Sequence, residues 1–97
     1  MVMAERMNAR VHLLISGEVQ GVFFRAGTRK FAGDLGVTGW IRNLSSGMIE
    51  VVAEGRKPLL DRLVEYCKQG PDGAHVDEME IEWSKPTGKF TDFNVKS

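Results

Sequence analysis

The chain has 97 residues, 42% hydrophobic and 27% charged, with 13 Lys and Arg matched by 13 Asp and Glu. This length holds one domain of roughly 100 residues, and the composition excludes a disordered chain. The zero net charge excludes a broad electrostatic grip on nucleic acid or anionic lipid. The single cysteine, Cys67, excludes an internal disulfide and a multi-cysteine zinc site. No apolar run approaches the roughly 20 residues of a membrane span, and no secretion signal is read at the start. These features predict a protein of the reducing cytoplasm.

Residues 1–9 read as a flexible N-terminal tail and residues 10–97 as one domain. Val11, Leu13 and Ile15 alternate, as the inward face of a first strand ending near Gly17. A glycine-bearing segment, Gly17 to Phe23, follows. Phe24, Thr28, Phe31, Ala32 and Leu35 then recur at helical spacing, with Gly36 at the left-handed position past the helix end. Residues 37–43 read as a second strand and Leu44-Ser45-Ser46-Gly47 as a tight turn. In a third strand Ile49, Val51 and Ala53 alternate with Glu50, Val52 and Glu54. Pro58 suits the first turn of a second helix. Its apolar stripe is Leu60, Leu63, Val64 and Cys67, and Gly70-Pro71 stops it. Residues 76–83 form a strand with Met79, Ile81 and Trp83 on one side and a solvated Glu78, Glu80, Glu82 row on the other. After Pro86-Thr87-Gly88, residues 90–95 make a short closing strand. The order β-α-β-β-α-β is the ferredoxin-like, split βαβ plan of the α+β class: one mainly antiparallel sheet with two helices on one face. That plan serves many functions and implies none.

Topology supplies the first functional constraint. The first and second strands run parallel, so their C-terminal ends share one edge of the sheet with the start of the first helix. The Gly17–Phe23 loop, Arg25 and Asn43 meet there. A helix N-terminus offers free N–H groups and a partial positive charge. Gly17 and Gly21 let the loop turn its amides toward an anion. Arg25 adds a planar fork suited to phosphate oxygens. A cation in the first helical turn opposes the helix dipole, a small cost that a bound anion explains. The combination reads as a phosphate site. It is neither a Walker A loop nor a G-x-G-x-x-G fingerprint.

Gly17-Glu18-Val19-Gln20-Gly21-Val22-Phe23-Phe24-Arg25 resembles the acylphosphatase signature G-x-V-Q-G-V-x-F-R. Gly36-Val37-Thr38-Gly39-Trp40-Ile41-Arg42-Asn43 resembles the same family's G-x-x-G-W-V-R-N block. The resemblance extends over residues 10–96. It implies a metal-free, cofactor-free hydrolase that splits acyl phosphates into carboxylate and phosphate. By the same resemblance Arg25 binds the phosphoryl group and Asn43 positions the attacking water. The backbone amides of Gly17, Glu18, Val19, Gln20, Gly21 and Val22 complete the cradle. Substrate phosphate oxygens take the water's proton in place of a strong protein base. The chain looks free-standing, the implied partner is a small-molecule acyl phosphate substrate, and a cytoplasmic monomer with no nucleic-acid or membrane partner is expected. Two positions depart from the usual pattern. Ser46 stands where many members carry Asp or Asn. Glu18 stands where many carry a basic or neutral residue, and it is expected to face solvent.

Taken alone, Arg25 would be a surface arginine and Asn43 a turn residue; inside these motifs both read as functional. Gln20 is expected to bond the loop's own backbone, and Arg42 to be structural or solvent-facing. His12 and His75 have no partners at metal-ligand spacing. Cys67 reads as a core thiol, and Trp40 and Trp83 as packing residues. RNA-recognition domains share this element order, but here the third strand has no aromatic residue and carries Glu50 and Glu54. The alternative that stays open is a non-catalytic phosphate-, small-ligand- or RNA-binding ferredoxin-like module.

Overall fold

The computed structural model describes residues 7–97. Strand β1 (Asn8–Glu18) carries Val11, Leu13 and Ile15 on one face, all fully buried. It begins at Asn8, so Asn8 and Ala9 belong to the sheet and not to a tail; residues 1–6 of the expected tail lie outside the described residues. Helix α1 (Phe24–Leu35) buries Phe24, Thr28 and Ala32, and Gly36 closes it at φ 78°. Strand β2 (Thr38–Asn43), strand β3 (Ile49–Arg56) and helix α2 (Lys57–Gln69) follow. Helix α2 starts directly after β3, with Pro58 in its first turn, and buries the predicted Leu60, Leu63, Val64 and Cys67. Strand β4 (His75–Ser84) and the three-residue strand β5 (Phe93–Val95) complete the chain's elements.

The sheet order is β4-β1-β3-β2-β5. Strand β1 is antiparallel to β3 and β4, and β2 is antiparallel to β3 and parallel to β5. Val11, Leu13, Ile15, Ile41, Ile49 and Val51 pack with Phe24, Ala32, Leu60 and Leu63 in one core. Both helices therefore cover one face, and the fold is the ferredoxin-like α+β sandwich. Cys67 lies in this core, where burial pushes its thiol up to about 12 and leaves it unreactive.

Three expectations change. The alternation in β3 is not one of burial, because Val52 and Glu54 are buried as well as Ile49, Val51 and Ala53. Strand β3 is the middle strand of five, so both its faces have neighbours. On β4, Met79, Ile81 and Trp83 do sit opposite Ile15, Leu13 and Val11, but β4 is a sheet edge and Ile81 and Trp83 are each 38% exposed. Lys57 Nζ stands 4.4 Å from the Trp83 ring and covers part of it. The closing strand is shorter than residues 90–95, because the chain before it is engaged elsewhere.

That engagement centres on Glu54. Its carboxylate accepts hydrogen bonds from the Thr87 amide and hydroxyl, both at 2.9 Å, the Gly88 amide at 3.0 Å and Arg10 Nη1 at 2.9 Å. The Asp92 carbonyl accepts a further bond from the Gly39 N–H at 2.8 Å. One buried charge thus ties residues 87–88 to the middle of the sheet and delivers β5 to the side of β2.

Burial alone would raise the Glu54 carboxyl, but the amides of Thr87 and Gly88, the Arg10 guanidinium and the Thr87 hydroxyl outweigh it and hold it below its ordinary value of 4.5. The unfolded chain therefore binds this proton more readily than the folded one. The stabilisation is fully present above the ordinary value and is lost as pH falls below it, through the lowered folded value. Glu54→Ala is expected to cost about 2 kcal/mol at neutral pH. Glu54→Gln should flatten the acid limb of stability against pH. Urea unfolding of the three proteins across the acid range checks both outcomes.

Candidate active site

Ile49, the first residue of β3, pairs with Ile15 of β1 on one side and with Asn43 of β2 on the other. The ends of β1 and β2 are thereby level, although 27 residues separate Ile15 from Asn43 by number. The loop after β1 and the N-terminus of α1 stand at the same edge. They enclose a cavity of about 390 Å³ lined by Val19, Gly21, Phe23, Phe24, Arg25, Ala26, Arg29, Asn43 and Val95.

The helix end presents free donors. No side chain caps α1 and no acidic residue lies in its first turn. The bond from the Gly27 N–H to the Phe23 carbonyl, 2.9 Å, opens its hydrogen-bond ladder. The amides of Phe24, Arg25 and Ala26 precede that bond and have no acceptor within the helix. All three residues line the cavity. Arg25 and Arg29 lie one helical turn apart, both exposed, and the described ion pairs involve neither of them. The lining holds two guanidiniums and one carboxamide, with no carboxylate or imidazole. The Asn43 side-chain oxygen is buried and has no hydrogen-bond partner among the described residues. Such an orphan costs about 1–3 kcal/mol unless something fills it.

Backbone geometry shapes the mouth. Phe23 adopts the left-handed conformation at φ 60° and ψ 22°, the one non-glycine residue at positive φ among those described. For an L-residue this costs roughly 1–2 kcal/mol. Gly17 sits at φ 129°, where a Cβ would run into the His75 carbonyl oxygen. Here β1 pairs irregularly with β4: Ser16 faces Glu78 and Gly17 faces Val76, leaving Asp77 as an extra residue.

Of the six residues expected to supply cradle amides, Val19 and Gly21 line the cavity and the other four do not. Gly17 and Glu18 are still within β1, opposite Val76 and His75. Glu18 is exposed, and Val22 packs against the core. Gln20 does not bond its own loop. Its Nε2 donates to the carbonyls of Leu44 and Met48, each at 2.9 Å, and so clamps the loop to the hairpin that follows Asn43. Arg42 lies outside the lining, on the opposite sheet face. Its Nε donates to Glu50 Oε1 at 2.7 Å, and His12 Nε2 lies 2.7 Å from Glu50 Oε2. The His12 and Arg42 contacts together hold the Glu50 carboxyl below its ordinary value against the opposing effect of burial. Five lining residues were not among the expected site residues: Phe23, Phe24, Ala26, Arg29 and Val95. Arg29 had a readable signal, four residues after Arg25 on one helix face. Val95 had none, since its place depends on the β2–β5 pairing.

A family model described as acylphosphatase matches residues 11–95. The chain is 48% identical over 87 residues to the acylphosphatase of Pelotomaculum thermopropionicum, covering 90% of this chain and 95% of that one. The solved acylphosphatase structure from Bacillus subtilis superimposes with a TM-score of 0.88 at 27% identity, over 92% of this chain and 99% of that chain. The one from Coxiella burnetii does so with a TM-score of 0.86 at 38% identity, over 99% and 100%.

Gln20→Ala removes both bonds of the clamp. It is expected to lower stability by about 1–2 kcal/mol and to speed solvent exchange of the Leu44 amide, which itself bonds the Met48 carbonyl at 2.8 Å. Gln20→Glu, which sets a carboxylate against two carbonyl oxygens, should cost more. Urea unfolding and amide hydrogen exchange measure both, and wild-type values in both variants would show that the clamp carries no load.

Proposed function

The chain belongs to the acylphosphatase family and is an acyl phosphate hydrolase, and we propose that Arg25, Asn43 and the amides at the start of α1 are the parts that carry out the reaction. The observation that carries this reading is the buried, unpartnered Asn43 oxygen beside an uncapped helix end. A carboxamide oxygen accepts a hydrogen bond but does not take a proton. A water donating one O–H to Asn43 keeps a lone pair free for phosphorus.

In this reading the phosphoryl group sits at the helix N-terminus, its oxygens held by the Arg25 fork and by the amides of Val19, Gly21 and Phe23 through Ala26. The water oxygen attacks phosphorus as the bond from phosphorus to the acyl oxygen breaks. That electron pair leaves on the carboxylate. The water's proton passes to a phosphoryl oxygen, so the products are carboxylate and inorganic phosphate. A carboxylate is a good leaving group, so positioning and charge stabilisation supply most of the acceleration. The lining has no acidic or imidazole side chain to act as base, which fits proton transfer to the substrate itself. A metal has no part in this scheme. The same reading makes the protein a monomeric cytoplasmic enzyme acting on a small molecule without nucleic acid; the zero net charge supports the last point. None of the described helices is long and apolar enough to cross a membrane.

Benzoyl phosphate hydrolysis followed by absorbance tests the assignment, with and without a chelator. Arg25→Ala is expected to lower kcat/KM by about 10³-fold, and Asn43→Ala to lower kcat by about 10²-fold with KM little changed. Chelator should leave the wild-type rate intact. Wild-type rates in both variants would remove Arg25 and Asn43 from the mechanism. Phosphate binding with no turnover in the wild-type protein would favour the non-catalytic module.

A further inference from the structure

Phe23 has two unfavourable features that the fold does not explain. Its backbone is left-handed at φ 60°, and the residue is 84% exposed. The turn into α1 needs the positive φ, and glycine meets that need without strain. A phenylalanine there gains nothing from packing in the free protein. Strained residues of this kind gather where a site needs them. Phe23 lines the cavity, and so does Val95, a second exposed apolar side chain at 41% exposure. Val95 pairs with Ile41, two residues before Asn43. The cavity thus has a polar end, with Arg25, Asn43 and the helix amides, and an apolar rim.

We infer that Phe23 and Val95 form a shelf that holds the acyl group of the substrate, and that the enzyme favours acyl phosphates with an aromatic or bulky apolar acyl part. This rests on the hydrolase reading above. An acyl phosphate has one dianionic end and one acyl end. Once the phosphoryl group occupies the helix N-terminus, the acyl remainder must leave toward the mouth. Of the exposed lining residues, Gly21, Phe23, Arg25, Ala26, Arg29 and Val95, the two with large apolar side chains are Phe23 and Val95. An aromatic acyl group stacks on the ring and recovers surface that the free protein leaves in water. An acetyl group offers far less apolar surface to bury against them.

The test compares kcat/KM for benzoyl phosphate and acetyl phosphate in the wild type, Phe23→Gly, Phe23→Leu and Val95→Thr. The intrinsic reactivities of the two substrates cancel when the benzoyl-to-acetyl ratio is compared between proteins. The ratio is expected to fall about tenfold in Phe23→Gly and about threefold in Val95→Thr, and to fall less in Phe23→Leu than in Phe23→Gly. Phe23→Gly relieves the left-handed strain, so its melting temperature should not drop. Val95→Thr keeps the branched shape and supplies an independent reading. A ratio within twofold of wild type in both Phe23→Gly and Val95→Thr would overturn the shelf while leaving the hydrolase standing. Failure of the wild type to hydrolyse either substrate would overturn the hydrolase reading, and the shelf with it.

Discussion

The pairing of Ile49 is the constraint on which the cavity depends. Its backbone faces Ile15 on one side and Asn43 on the other, and its side chain is fully buried. A slip of one residue on either side would turn the inward row of a strand to the opposite face. The cost of that slip is the whole core of Val11, Leu13, Ile15, Ile41 and Val51, so the register is strongly specified. Since the register is fixed, the heights of Asn43 and of the loop after β1 are fixed with it. Strand β2 then carries β5 on its outer side, with Ile41 opposite Val95.

Within that frame the site is assembled against local stability. Three helix-end amides have no helical acceptor, two guanidiniums have no described ion partner, a carboxamide oxygen is orphaned and a phenylalanine is held left-handed. Each is a feature a protein selected for stability alone would remove. The free amides and guanidiniums are donors that suit an anion, whereas the carboxamide oxygen accepts a hydrogen bond from a donor. Compensation comes from elsewhere: the dense core, the Gln20 clamp and the four bonds to Glu54. With total stabilities of roughly 5–15 kcal/mol for a domain, neither side of this balance is negligible.

The elements that alternation or helical spacing defines were legible in the chain. The inward rows of β1 and α2, the Gly36 helix end and the sharing of one edge by Arg25 and Asn43 all follow from local pattern plus strand direction. What escaped depends on pairing between distant segments. Burial of Glu54 could not be read, because its partners are Thr87, Gly88 and Arg10. The glycine loop read as a uniform nest, but β1 continues through Glu18, so Gly17 and Glu18 pair with β4. Gln20 read as a local bond, but its partners lie across the loop, on the next hairpin. Phe23 falls at one of the two unspecified places in the signature, so the motif was silent about it.

The order in which the sheet's strands follow one another along the chain sets how the molecule must come together. Strand β1, second in the sheet, is flanked by β3 and by β4 from the far end of the sequence, with Arg10 opposite Ser84. Such connections demand large loop closures before the contacts reward them, so a chain of this topology assembles more slowly than a helical bundle of equal size. While β4 and β5 are still unplaced, the edges of β1 and β2 remain open and Val95 is absent from the cavity. The hairpin of β2 and β3, joined by the four-residue Leu44–Gly47 turn, is the closest-range pairing in the sheet and the natural place for order to begin. The cavity wall that Val95 supplies is therefore a property of the finished sheet, present only once β5 lies beside β2.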